Sequence, residues 1–400
     1  MNFLLSHRAR AIKPSPTLTV SALANKMKAE GKDVINFGVG EPDFNTPEYI
    51  KQEGIRSIEN NFTRYTASSG IKELREAISD KLKRDNDLDC NPDDILVSPG
   101  AKASIINVLM SVVDPRDEVI IPSPYWVSYT SQVEMVDAHP VLLKTSPLYD
   151  FKINPKKLDK ILNELCNPKC IILNSPNNPT GSVYTRNELE KIAEVCLKHK
   201  ILIISDEIYE KLIYDDLKHV SIASISEQVR DNTIVINGVS KAYAMTGWRL
   251  GYAAGPTEII KMASRIQSHT TSCVNSMTQK AALAALTKDD GSVETMRKTF
   301  EIRRNYLISE MSTIKKLKFN IPQGAFYIMP NIGHYIRNNK KRIRNSVKFC
   351  EFILKNYLVA LVPGSAFGAE NHVRFSYANS MENLVEGMKR FKQALEDMEN

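Results

Sequence analysis

The strongest constraint on the fold is a series of short runs that are apolar on both faces, separated by longer amphipathic stretches. Ile-Leu-Ile-Ile at 201–204 is the plainest of them. A strand with one wet face alternates apolar and polar residues, whereas a continuous apolar run suits a parallel strand covered by helices on both sides. Expected strands are Ile95–Ser98, Glu118–Ile121, Cys170–Asn174, Ile201–Ser205, Thr233–Asn237 and Leu250–Ala254, with helices between several of them, notably Lys102–Val113 and Asn187–His199. This alternation predicts a doubly wound, mainly parallel α/β sheet. From about residue 256 the pattern turns helical, with long segments near 257–286 and 291–313. Short strands then follow at Gly324–Met329 and Val373–Tyr377, with helices at 344–356 and 381–397. A chain of 400 residues outgrows a single core. The expected division is a large domain at 46–290 and a smaller α+β domain built from 1–45 and 291–400.

Bulk properties narrow the class. Apolar residues make up 42% and charged residues 25%, as in ordinary globular proteins. The net charge of +7 is scattered apart from one run, Lys340, Lys341, Arg342 and Arg344, read as a solvated face rather than a nucleic-acid stripe. A mild positive excess can still steer anions toward a cleft. The six cysteines form no CxxC pair, so reduced thiols are expected. The N-terminus lacks the apolar core of a signal peptide, and no run of 18 apolar residues occurs. A cytoplasmic chain with neither a membrane nor a nucleic-acid partner is the expectation.

Four segments carry chemistry, mostly at the ends of expected strands, where open α/β sheets bind ligands. Ser98-Pro-Gly-Ala-Lys102 joins a strand to a helix and could seat an anion on the helix N-terminus, though such turns are commonly structural. Asn174-Ser-Pro-Asn-Asn-Pro-Thr-Gly181 is a rigid turn whose asparagines make little sense as core, but it too could be structural. Ser205-Asp-Glu-Ile-Tyr209 puts an acid at a strand's end, able to bind metal, act as a base or pair with a buried cation; no neighbouring histidine or second acid pair favours metal. Gly238-Val-Ser-Lys-Ala-Tyr-Ala-Met-Thr-Gly-Trp-Arg-Leu-Gly251 is the specific signal. A lysine among small residues just past a strand is a poor surface lysine, and burial lowers an amine's pKa toward the range Schiff-base chemistry needs. Arg249, eight positions on, could grip a phosphate bidentately.

On these segments, and from Lys13-Pro-Ser to His372-Val-Arg-Phe-Ser-Tyr377, the chain resembles a class I aminotransferase of the bacterial and plant aspartate and aspartate/prephenate branch. The resemblance implies the fold-type I architecture, pyridoxal 5'-phosphate as cofactor and a homodimer. By the same resemblance Lys241 holds the cofactor and shuttles the proton, Asp206 pairs with the ring nitrogen, Asn178 and Tyr209 bond the ring hydroxyl, and Trp126 stacks on the ring. Gly100, Ala101, Lys102, Ser240 and Arg249 surround the phosphate, which Tyr65 reaches from the neighbouring subunit. Arg374 clamps the substrate's α-carboxylate with Gly40 beside it, and Trp126 and Asn178 also face the substrate. Lys102, Ser15 and Thr17 take the distal carboxylate. One departure is Gly238, where some relatives carry serine; Ser240 is the candidate substitute.

The implied reaction is ping-pong amino transfer from aspartate or glutamate to a 2-oxo acid, with prephenate as a further acceptor. Aromatic or alanine amino transfer and β-lysis are alternatives on the same fold. A transcription regulator is disfavoured, because only about 40 residues precede Gly40-Glu-Pro-Asp43, fewer than a DNA-binding domain needs.

Overall fold

A computed structural model describes every residue except 1–3, 13, 15, 340, 342 and 400. Its strands in chain order are β1 (Ile35–Asn36), β2 (Ile95–Ser98), β3 (Glu118–Ser123), β4 (His139–Lys144), β5 (Pro168–Asn174), β6 (Leu202–Asp206), β7 (Thr233–Gly238), β8 (Gly251–Ala254), β9 (Tyr327–Ile328), β10 (Val359–Ala360), β11 (Val362–Pro363) and β12 (Val373–Ser376). A seven-stranded sheet runs β2-β8-β7-β6-β5-β3-β4. All its pairings are parallel except those of β8, which is antiparallel to both β2 and β7. Since β2 and β7 therefore run the same way, the segments after β2, β5, β6 and β7 emerge at one edge. All four chemistry-bearing segments lie there.

Period-two side-chain alternation explains why the central runs are apolar throughout. Ile171 and Ile203 enter one core, with Leu189, Ile192 and Cys196 of the helix Arg186–Lys198. Their neighbours Ile172 and Ile204 enter the other, with Ile105, Val108 and Leu109 of the helix Ala101–Val112. Each such side chain contributes roughly 1.5–3 kcal/mol on full burial. The helix Arg186–Lys198 starts at a reciprocal cap between Thr185 and Glu188.

Two expectations need correction. The helical stretch read as continuous over 257–286 is two helices, Thr257–Thr270 and Ser276–Thr287. Ser272 takes a left-handed φ of 62°, and the Asn275 side chain caps the second helix by accepting from the Thr278 amide. Strand β4 was not anticipated; it is an edge strand, half exposed and opening on His139-Pro140, with little apolar signal.

The two ends of the chain meet. β1 pairs in parallel with β10, Ile35 opposite Val359, and Phe37 stacks on Phe375, which packs edge-on against Phe391. This core also takes in Phe300, Leu307, Phe326 and Leu384. The segment Gly38–Glu41 leads away from it across the carboxyl edge of the large sheet.

Candidate active site

At that edge lies a cavity of about 600 Å³, bordered by Lys241, Asp206, Asn178, Tyr209, Trp126 and Arg374, with Ala101, Lys102, Ser240, Arg249, Gly40 and Thr17 also on its wall. Asp206 ends β6 and is buried. Its Oδ2 accepts from the Tyr129 hydroxyl at 2.7 Å and its Oδ1 from the Ile208 amide at 3.2 Å. Burial pushes its carboxyl up to about 6, against the Tyr129 hydrogen bond that favours the ionised form. Lys241 follows β7, and its Nζ donates to the Gly40 carbonyl at 2.6 Å. Burial lowers this amine to about 8, opposed by the charge of Glu41.

The helix Ala101–Val112 begins at Gly100, which has φ +87° and no side-chain cap, so its first amides remain available to an anion. A Cβ on Gly100 would lie 2.9 Å from Arg249 Cζ, so only glycine lets that guanidinium lie across the helix start. Arg249 is held by the Thr246 carbonyl at 2.9 Å. Gly251 packs against the same turn, where a Cβ would come 2.7 Å from Ala101 Cα. Lys102 places its Nζ 4.9 Å from the centre of the Trp126 ring, and burial followed by the charge of Arg249 lowers its pKa.

Arg374, on β12, is buried. It donates to Asn178 Oδ1 at 3.0 Å and to the Gly38 carbonyl at 2.9 Å, and lies 4.3 Å from the centre of the Tyr327 ring. Its Nε has no partner. Among the described residues no carboxylate pairs with it, or with Lys241, Lys102 or Arg249. A guanidinium keeps its proton even when buried, so Arg374 is a fixed charge awaiting an anion. Tyr209, whose phenol burial holds neutral, shares a hydrogen bond with the Tyr327 hydroxyl at 2.9 Å.

The cavity thus gathers the expected residues except three. Tyr65 is 91% exposed and away from it. Gly100 lies behind the wall as the helix cap. Ser15 lies outside the described residues. At Gly238 a Cβ would meet Gly251 Cα and the Leu250 carbonyl at 2.8 Å, so this backbone has no room for a serine there, while Ser240 does border the cavity. Sequence reasoning missed Tyr129, on the short helix Ser128–Met135, and Tyr327, on β9, because a tyrosine in such an element reads as core, and it also missed Gly38. Ser21 and Asn25 were missed too; they repeat at intervals of four from Thr17 along the helix Pro16–Ala29 and border the same cavity.

A family model described as aminotransferase class I and II matches residues 32–391. An aspartate aminotransferase of Bacillus subtilis (strain 168) is 43% identical over 392 residues, covering 98% of this chain and 99% of its own. An aspartate/prephenate aminotransferase of Nitrosomonas europaea is 44% identical over 396 residues, with the same coverages. The crystal structure of an aspartate aminotransferase from Rhizobium meliloti superposes with a TM-score of 0.95 at 38% identity, over 99% of this chain and 100% of that one.

Proposed function

Since the chain belongs to the class I and II aminotransferases and is an aminotransferase enzyme, we propose that it moves the amino group of aspartate or glutamate to a 2-oxo acid, using pyridoxal 5'-phosphate held by Lys241. The observation that carries this reading is Arg374, buried without a carboxylate partner among the described residues on the wall of the cavity that also holds Lys241. An amino acid's α-carboxylate is the anion a rigid guanidinium fork matches.

The residues fit the cofactor. The uncapped helix start at Gly100, with Arg249 across it, is a cradle for a phosphate that a Cβ would fill. Asp206 at the cavity floor suits a protonated ring nitrogen, and the neutral Tyr209 phenol with the Asn178 amide suits a phenolate oxygen. When bound, the cofactor supplies an electron sink for the pair released as the substrate's Cα–H bond breaks.

The chain's own residues divide the work. Arg374 fixes the substrate's α-carboxylate, with Asn178 and Gly38 holding the guanidinium still. Lys241, once freed, is a base of lowered pKa able to take the Cα proton and return it to a carbon two bonds away, across the amino nitrogen. Asp206 would hold a negative charge toward the ring nitrogen of the bound cofactor, and the Trp126 indole, on the same cavity wall, would lie against its ring. Lys102 and Thr17, on the same wall, meet the distal carboxylate, which favours dicarboxylic substrates and extends to prephenate as acceptor, a dicarboxylate in its own right.

In this reading the working form is a homodimer of the cytoplasm, with Tyr65 of each protomer completing the other's phosphate site. The chain divides into a large domain at 46–290 and a small one at 1–45 with 291–400. An amino-donor panel against 2-oxoglutarate, oxaloacetate and prephenate tests the substrate. Purified protein is expected to show a visible absorption band that Lys241→Ala removes along with turnover; an active Lys241→Ala enzyme overturns the assignment.

A further inference from the structure

We infer that Tyr129 is a positioning residue: its hydroxyl locks the Asp206 carboxylate in one rotation and ties that carboxylate to Trp126, so that one side chain registers two contacts to the ring. The inference rests on the function proposed above. Tyr129 is 2% exposed and sits at the start of the helix Ser128–Met135. A buried phenol needs a partner, and the bond seen for this one is donation to Asp206 Oδ2 at 2.7 Å. With Oδ1 taken by the Ile208 amide, the carboxylate is held at both oxygens and cannot swivel. Its carbonyl side is fixed as well, since the Asp206 main-chain oxygen accepts from the Asn174 side chain at 2.9 Å. The Tyr129 ring packs edge-on against Trp126, with centroids 5.3 Å apart. Asp206 and Trp126 come from distant parts of the chain, and Tyr129 sets their relative placement.

The hydroxyl also has an electrostatic consequence. A donor on Oδ2 favours the ionised carboxylate in a site where burial favours the neutral one. Without it Asp206 holds a proton more tightly and the ring nitrogen holds its own less. The cofactor then withdraws fewer electrons from its link to Lys241, and the visible band titrates at higher pH.

The test is Tyr129→Phe, which removes one oxygen and keeps the ring. Three quantities are measured on the holoenzyme and the stripped protein: the pH at which the visible band titrates, the affinity for added pyridoxal phosphate by fluorescence, and kcat with KM for aspartate. The titration is expected to move to higher pH and cofactor affinity to fall. The expected kcat loss is about tenfold or more, the range for losing a hydrogen bond to a charged group, while KM changes far less. In an Asp206→Ala background, which removes the acceptor, the same substitution is expected to leave cofactor affinity unchanged, because the two act through one bond. Should the phenylalanine variant fail to fold, Tyr129→Met fills the space without a donor and must show the same shift. A band that titrates as in wild type, in either folded variant, overturns the inference, as do additive losses in the Asp206→Ala background. A wild-type protein with no lysine-dependent band overturns the functional reading instead.

Discussion

Arg374 and Asn178 share a hydrogen bond, Nη1 to Oδ1 at 3.0 Å, in the buried wall of the cleft. The residue proposed to grip the substrate is thus fastened to one proposed to hold the cofactor. The bond occupies the asparagine's oxygen and leaves its NH2 to donate to the ring hydroxyl. Substrate and cofactor sites are therefore mechanically coupled. Arg374→Ala is expected to lower kcat/KM by roughly 10²–10³ or more, as loss of a preorganised charged contact does. Asn178→Ala should raise the donor's KM as well as weaken cofactor binding, and the double variant should lose less than the sum of both. Steady-state kinetics on the three variants decide this; strict additivity would sever the coupling.

In the proposed reaction Lys241 acts as the free amine, and burial brings its pKa down to about 8. Capture of pyridoxal phosphate by the stripped protein should therefore accelerate with a midpoint near pH 8, well below the ~10.4 of an ordinary lysine. Stopped-flow absorbance against pH measures it, and a midpoint above 10 would place the amine in open water.

Lys102 stands over the Trp126 ring on the cavity wall. Lys102→Ala should cost aspartate and glutamate more in kcat/KM than alanine or phenylalanine, by about tenfold or more for a lost charge-assisted contact. Equal losses across the donor panel would reassign Lys102 to the phosphate alone.

In the cofactor-free protein Asp206 has a folded-state pKa of about 6, above the ~3.9 of the unfolded chain. The folded state then binds the proton more tightly, so the group's contribution is complete below pH ~4 and is lost as pH rises through about 6. Two units correspond to roughly 2–3 kcal/mol. Denaturant titrations of stripped wild type and Asp206→Asn between pH 4 and 7 should show the wild type losing ground to the variant as pH rises; parallel curves refute it. Cofactor should reverse the trend by supplying a cation.

What the sequence made legible follows from where the physics is local. Runs such as Ile201–Ile204 carry their burial on both faces in their own composition, so the parallel sheet could be read directly. The cleft residues were readable because Asn178, Asp206, Lys241 and Arg249 stand at or after the ends of β5, β6 and β7, the edge where open α/β sheets bind ligands. Tyr129 was not, because a tyrosine on a short helix looks like core until the partner of its hydroxyl, 77 residues along the chain, is known. Strand β4 was missed for a related reason: an edge strand draws its stability from the neighbour it pairs with, here β3, and shows little alternation of its own. Nor did composition show that Gly238 is forced by the closeness of Gly251.

The cations of the cleft, unpaired with any carboxylate among the described residues, have a bearing on how long the protein lasts. Lys102, Lys241, Arg249 and Arg374 repel one another across a partly desolvated space, at the mouth of a helix that adds its own positive end. Any phosphate ester that settles there relieves that repulsion only in the folded state, and so stabilises the fold by mass action. Stripped protein should thus melt later in phosphate than in an amine buffer of equal pH. On the proposed function, protein lacking the cofactor is then expected to unfold and be degraded sooner than loaded protein, so that cofactor supply bears on its abundance as well as on its catalytic rate.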